Sequence, residues 1–327
     1  MIRPHFCSAA VFLAAAWVQA SPVVSNVKSR QMPGTHKVEI LYDLVSDREC
    51  TLAIEVSKDG GVTYGVVVPP EAFTGAIGAG VLGGTGKRVV FDAAKSPLKQ
   101  FFSKQIRFKV MARNIDLSEG LVAYYPFDGS GNDVSGNCNH GTLQGGVTFA
   151  PGRNGMAAQF DGVNDYVSVA NNSGLDLTNT FTLSAWIFQK GAQARGYRIV
   201  DKCPAGIADG WTFDTYGNNS GGRRLRLQAV DLTDHNVVGS TDYTLLAWHH
   251  VVATVSETIG KVYMDGCLDG EGLVGKIPSN NLDIFIGSPH PYNGTGFVEF
   301  FNGLIDDVRI YNRTLSAAEV EELYKSE

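Results

Sequence analysis

The chain is expected to be all-β, two antiparallel sandwiches in series, and three observations lead there. Apolar residues alternate with polar ones or cluster in short β-branched runs, as in Val38-Glu39-Ile40-Leu41-Tyr42-Asp43 and His250-Val251-Val252-Ala253-Thr254-Val255. The 38 glycines are scattered as Asp-Gly, Asn-Gly and Gly-Gly pairs between those runs, the pattern of hairpin turns. The 327 residues exceed what one core normally accommodates, about 250, so two domains are expected. Charge is modest, 27 basic against 33 acidic residues for a net of −6. No basic face for nucleic acid or an anionic membrane is expected from that balance.

The first twenty residues read as a signal peptide. Arg3 precedes an apolar stretch from Phe6 to Trp17, and Val18-Gln19-Ala20 prepares a cut before Ser21. The stretch is short for a membrane span of about 20 residues, and no other segment approaches that length. A secreted, periplasmic or cell-surface protein is expected, not a membrane-spanning one. Past Cys7 the cysteines are Cys50, Cys138, Cys203 and Cys267. An even number in an exported chain permits disulfides. Cys203–Cys267 is the expected pair, since both follow strands; the alternative is that all remain reduced and buried. No Cys-x-x-Cys pair suggests zinc.

Residues 21–113 form the first expected unit. Val38–Asp43 and Leu52-Ala53-Ile54-Glu55-Val56 alternate as half-buried strands, and Asp59-Gly60-Gly61 breaks the pattern as a turn. Val89-Val90-Phe91 and Ile106-Arg107-Phe108-Lys109-Val110 supply later strands. Several short strands in so few residues suggest an immunoglobulin- or fibronectin-like sandwich, which resembles the accessory domain ahead of other modules in secreted bacterial proteins. Gly83-Gly84-Thr85-Gly86-Lys87 is no phosphate loop: Val81 stands where the first glycine is needed and Arg88 where Ser or Thr is.

Residues 114–118 form a junction, and residues 120–327 the second unit. Its opening, Gly120-Leu121-Val122-Ala123-Tyr124-Tyr125-Pro126-Phe127-Asp128-Gly129, is a strand running into a turn. Phe181-Thr182-Leu183-Ser184-Ala185-Trp186-Ile187 is nearly continuous apolar sequence, as in a central strand covered on both faces. His250–Val255 and Lys261-Val262-Tyr263-Met264 form a hairpin, with Asp265-Gly266 turning the chain after it. Ser316-Ala317-Ala318-Glu319 is a capping box, and Val320, Leu323 and Tyr324 have helical spacing.

These segments, with Phe160-Asp161-Gly162-Val163-Asn164-Asp165-Tyr166-Val167 and Asn302-Gly303-Leu304-Ile305-Asp306-Asp307-Val308-Arg309-Ile310-Tyr311, resemble the laminin-G-like (concanavalin A-like) jelly roll. The resemblance covers residues 120–325 and implies an antiparallel jelly roll with a short closing helix. It implies a binding module rather than an enzyme, and a structural calcium between the first and last strands, held by Asp128, Asp133 and Asp307. Calcium takes oxygen ligands of this kind, though the same acids suit Asx turns that close loops.

Catalytic patterns are missing. Glycosidases of this fold need two carboxylates alternating along one strand, and no glutamate here has a Glu-x-Asp-x-x-Glu setting. His249-His250 point to opposite faces of a strand, so one is expected to be buried beside Trp248 and the other exposed, which argues against shared metal binding. A sugar site needs aromatic faces beside planar polar groups. The segment with Trp211, Asp214, Tyr216 and Asn218 offers both, and Tyr292 stands in a second polar loop; Trp211 serves equally well as a core residue. The function expected is carbohydrate or glycoconjugate binding outside the cell. The alternatives are a module for adhesion to a cell-surface or matrix protein, and a glycan-cleaving enzyme with atypical carboxylates.

Overall fold

The computed structural model describes residues 21–98, 105–191, 196–203, 210–216, 223–230, 235–290 and 299–326. The expected signal peptide therefore lies outside the described residues. The chain divides into two compact units, one ending at Asp116 and the next beginning at Leu117. Both are built of antiparallel strands, and one α-helix closes the second.

The first unit contains β1 (Val23–Gln31), β2 (Lys37–Val45), β3 (Cys50–Ser57), β4 (Phe73–Gly75), β5 (Gly78–Val81), β6 (Gly84–Asp92) and β7 (Arg107–Asn114). One sheet runs β1-β2-β6-β4 and the other β5-β3-β7. Alternation along β2 buries Ile40, Tyr42 and Leu44 against Leu52, Val56, Val89 and Phe91. The turn expected at Asp59 forms because its carboxylate accepts the Thr63 backbone N–H and hydroxyl as well as the Ser57 hydroxyl. The glycine-rich stretch at 83–87 opens β6, where Gly86 donates its N–H to Asp43.

The second unit contains β8 (Leu121–Tyr125), β9 (Gly141–Gln144), β10 (Thr148–Pro151), β11 (Met156–Asp161), β12 (Tyr166–Val169), β13 (Thr180–Gln189), β14 (Arg198–Lys202), β15 (Gly210–Tyr216), β16 (Arg224–Val230), β17 (His235–Val238), β18 (Trp248–Ser256), β19 (Ile259–Met264), β20 (Cys267–Leu273), β21 (Ile284–Ile286) and β22 (Asn302–Tyr311), then α1 (Ala317–Ser326). An eight-stranded sheet runs β10-β11-β22-β13-β18-β19-β20, with β8 also paired to β22. A seven-stranded sheet runs β17-β16-β15-β14-β21-β12-β9. Consecutive strands pair in β18-β19-β20 and in β14-β15-β16-β17, while β8, β11 and β13 pair with β22 and β12 and β14 with β21, the long-range connections a jelly roll requires.

The core lies between the sheets. Phe181, Leu183, Ala185 and Ile187 of β13 meet Trp211 and Phe213 of β15 and Leu225 and Leu227 of β16 there. The other side of β13 is covered too, which explains its unbroken apolar sequence. Trp186 stacks on Tyr324 of α1, and Val320 and Leu323 pack with Val252, Tyr263 and Tyr311. Burying one such leucine contributes about 2 kcal/mol. The capping box forms: the Ser316 N–H donates to Glu319, whose own N–H donates to the Ser316 hydroxyl. Asp265 and Gly266 both take positive φ, 48° and 79°, as a type I′ turn demands.

Two expectations need correction. Cys203 follows β14 in the seven-stranded sheet, while Cys267 opens β20 in the eight-stranded sheet. Stacked sheets sit about 10 Å apart, beyond disulfide reach, and the described cysteines form no disulfide. His250 is buried, but against Trp186 and Tyr324 rather than beside Trp248, which packs on Phe188. His249 is half-buried and bonds Asp265.

Candidate functional site

The face of the seven-stranded sheet turned away from the core carries the polar chemistry of this unit. Its inward residues, among them Val167, Ile286, Phe213 and Leu227, are apolar, so their neighbours in sequence point outward. Strand register then aligns one row across all seven strands. Thr142 pairs with Ser168, Ser168 with Phe285, and Phe285 with Asp201. Asp201 pairs with Thr212, Thr212 with Gln228, and Gln228 with Asn236. Six of these seven side chains form hydrogen bonds by their chemistry, and the seventh is aromatic.

Phe285 belongs to a group of rings. Tyr166 lies 4.8 Å from it on the neighbouring strand, and His290 stacks on it at 4.0 Å with a 12° interplanar angle. Tyr166 and Phe285 remain half-exposed, whereas His290 is buried and directs Nε2 to the Asp283 carbonyl. Burial holds His290 below the usual imidazole range, so this ring is a neutral wall.

Beside that row lies a network of ions. Arg198 and Arg226 both donate to Asp214, Arg226 through Nε at 2.9 Å and Nη2 at 2.5 Å. Arg198 Nη2 also reaches Glu299 at 2.8 Å. Arg226 lies over the Tyr216 ring, 5.1 Å from its centre. Asp201 accepts the Thr212 hydroxyl and the His290 N–H. Complete burial nevertheless pushes its carboxyl up to about 6, with Arg198 pulling the other way. Burial likewise raises Glu299. Groups this thoroughly paired hold a face rigid.

The acids expected to hold calcium divide. Asp133 accepts the N–H groups of Tyr124, Ser135 and Asn139, so it closes its own loop as an Asx turn does. Asp307 sits at an irregularity in the pairing of β22 with β13 and takes φ +47°. That conformation is costly for a residue with a Cβ and aims the side chain away from the regular pleat. Its Oδ1 accepts the Tyr124 hydroxyl, and its Oδ2 is buried without a hydrogen bond. Asp128 is exposed, close enough to raise the Asp307 carboxyl, and accepts the Met156 N–H. Neighbouring Asp306 accepts the Arg153 N–H, and burial together with Asp307 pushes it up to about 7. The loop between β10 and β11 lies against these acids: a Cβ at Gly155 would collide with Asp128 and one at Gly152 with Asp306. Asp128 and Asp307 thus fit a hard cation, whereas Asp133 is already engaged. Among the described residues no three His, Cys, Asp or Glu side chains gather as a metal group, so backbone oxygens and water would complete any shell.

The residues expected to bind sugar also divide. Trp211 is a core residue, 1 % exposed, packed on Phe181 and donating its indole N–H to the Leu177 carbonyl. Strand alternation turns it inward and turns Asp214 and Tyr216 outward, onto the polar face. Asn218 and Tyr292 lie outside the described residues. Tyr166, Phe285, Arg198 and Glu299 escaped sequence reasoning because they come from distant segments. Only the alternation of β12 hinted at Tyr166.

Among the described residues no helix is long and apolar enough to cross a membrane. No curated protein sequence matches the chain. Among solved structures, domain 4 of AbnA, a GH43 extracellular arabinanase from Geobacillus stearothermophilus in complex with arabinotriose, shares 21 % identity at a TM-score of 0.52. The match covers 62 % of this chain and 98 % of that domain. The binding domain of Paraclostridial Mosquitocidal Protein 1 matches at 20 % identity and a TM-score of 0.54, over 64 % of this chain and 53 % of the other. The binding domain of botulinum neurotoxin DC in complex with SialylT matches at 16 % identity and 0.50, over 64 % and 52 %. The chain thus spans nearly all of the arabinanase domain and about half of each toxin domain. Residues 161–321, within the second unit, match the model of the concanavalin A-like lectin/glucanases superfamily.

Proposed function

We propose that the protein is exported and binds a glycan, without cleaving it, along the outer face of the seven-stranded sheet. The observation that carries this reading is the pair of half-exposed rings Tyr166 and Phe285 beside the exposed or half-exposed members of the row, Thr142, Ser168, Gln228 and Asn236, while Asp201 and Thr212 in the middle of the row are buried and bonded to each other. A sugar ring offers a C–H face to an aromatic ring and a hydroxyl edge to planar polar groups, and this face supplies both kinds of surface. The arabinotriose and SialylT complexes of structurally similar domains support a sugar ligand. Asp128 and Asp307 would hold a structural calcium, whose charge would offset the repulsion between exposed Asp128 and buried Asp307. The first unit serves as an immunoglobulin-like accessory domain.

The test is a glycan-array screen of residues 21–327, with calcium and with a chelator, repeated on Tyr166→Ala and Phe285→Ala. Each variant is expected to lose about tenfold in affinity, the worth of one aromatic contact. A blank array from protein with an intact thermal transition would sink the reading and point to a protein partner.

A further inference from the structure

The charges on this face assign the class of glycan. Asp214 occupies Arg226 Nε and Nη2 together with Arg198 Nη1, and Glu299 occupies Arg198 Nη2. The remaining Arg198 nitrogen, Nε, faces the Asp201 carboxylate at 3.9 Å. Two positions along β16 from Arg226, Arg224 also points outward, and its Nε lies 3.8 Å from Asp242. Across this part of the face, three arginines meet four carboxylates among the described residues.

A site built for a sugar carboxylate presents an arginine whose planar fork is open to the ligand, because bidentate pairing supplies both energy and orientation. Here the forks of Arg198 and Arg226 are closed by the protein's own acids. Both arginines are nearly buried, with 11 % and 14 % of their side chains exposed, so neither can swing toward a ligand without breaking its pairs. An anionic sugar would find both of these forks engaged, with only Arg224, 41 % exposed and 3.8 Å from Asp242, left at the surface, and would meet more carboxylates than arginines. Thr142 and Ser168, accessible beside the Tyr166 and Phe285 rings, suit hydroxyls.

Resting on the glycan-binding reading above, we infer that this face takes uncharged glycans and rejects sialylated or uronate-bearing ones. Asp214 and Glu299 are the residues that enforce the rejection, by closing the arginine forks from within.

The experiment is calorimetric titration at low ionic strength, where charge effects are least screened. The probes are neutral arabino-, xylo- and cello-oligosaccharides against sialyllactose and oligogalacturonate. A neutral probe should bind with at least ~10-fold higher affinity than either anionic one, since like-charge contact at an interface is strongly unfavourable. Asp214→Asn releases the arginines and should raise the affinity for anionic probes relative to neutral ones. Glu299→Gln, at a less buried position, gives the same readout should the first variant fail to fold. Anionic probes that bind as tightly as neutral ones, or tighter, overturn this inference and leave glycan binding standing. Binding of no probe of either class overturns both.

Discussion

His250 makes the stability of the second unit sensitive to acid. The side chain is fully buried between Trp186 and Tyr324, with Nε2 2.9 Å from the Ser184 hydroxyl and Nδ1 without a hydrogen bond. The charged groups facing it are Arg309, which opposes protonation, and Asp265, which favours it. Burial dominates and lowers the imidazole from 6.5 to about 3. Between those values the unfolded chain binds a proton that the native chain does not. Stability is therefore fully present above pH 6.5 and is lost as pH falls toward 3. At about pH 4.5, two units below the unfolded value, the loss is about 3 kcal/mol. Urea unfolding followed by tryptophan fluorescence measures it, because Trp186, Trp211 and Trp248 all lie in the second unit. Titration of Asp201 and Asp306, raised to about 6 and about 7, runs the opposite way. Their contribution is common to wild type and His250→Gln and cancels in the difference. The gap between the two proteins should shift by about 3 kcal/mol from pH 7.5 to 4.5 at fixed calcium, in favour of the variant. Parallel pH profiles would refute the claim that His250 is held neutral by burial.

Asp307→Asn should abolish any rise in melting temperature on adding calcium, while Asp133→Asn should lower stability with and without calcium; the reverse pattern would restore Asp133 as the ligand. Trp211→Ala should cost about 3–5 kcal/mol by emptying a core position, and urea unfolding would detect it. A stable variant that has lost only glycan affinity would return Trp211 to the binding surface. Ser316→Ala should cost about 1 kcal/mol through the lost helix cap, read in the same way. Dithiothreitol should leave the melting temperature unchanged, since Cys203 and Cys267 lie on different sheets; a clear drop would mean a bridge forms.

Much of this architecture was legible in local pattern. Alternation along β2, the unbroken apolar run of β13, the Asp265-Gly266 turn and the Ser316–Glu319 box are all short-range consequences of backbone sterics and hydrogen bonding. Each could be read from a few adjacent residues, and each forms as expected. The order of motifs likewise identified the jelly roll of the second unit.

The site depended on pairings between segments far apart in sequence. Trp211 and Asp214 looked like members of one loop surface, yet β15 is a strand, and its alternation sends one into the core and the other to the polar face. Tyr166 and Phe285 are separated by most of the second unit and meet because β12 and β21 pair. Cys203 and Cys267 look equivalent along the chain and are parted by the sandwich itself. Asp128 and Asp307 come within electrostatic reach only because β8 pairs with β22. Local periodicity records which side of its own strand a residue occupies. Which strands then lie side by side is decided by burying two apolar faces against each other, and that cooperative packing assembles the face where a ligand would rest.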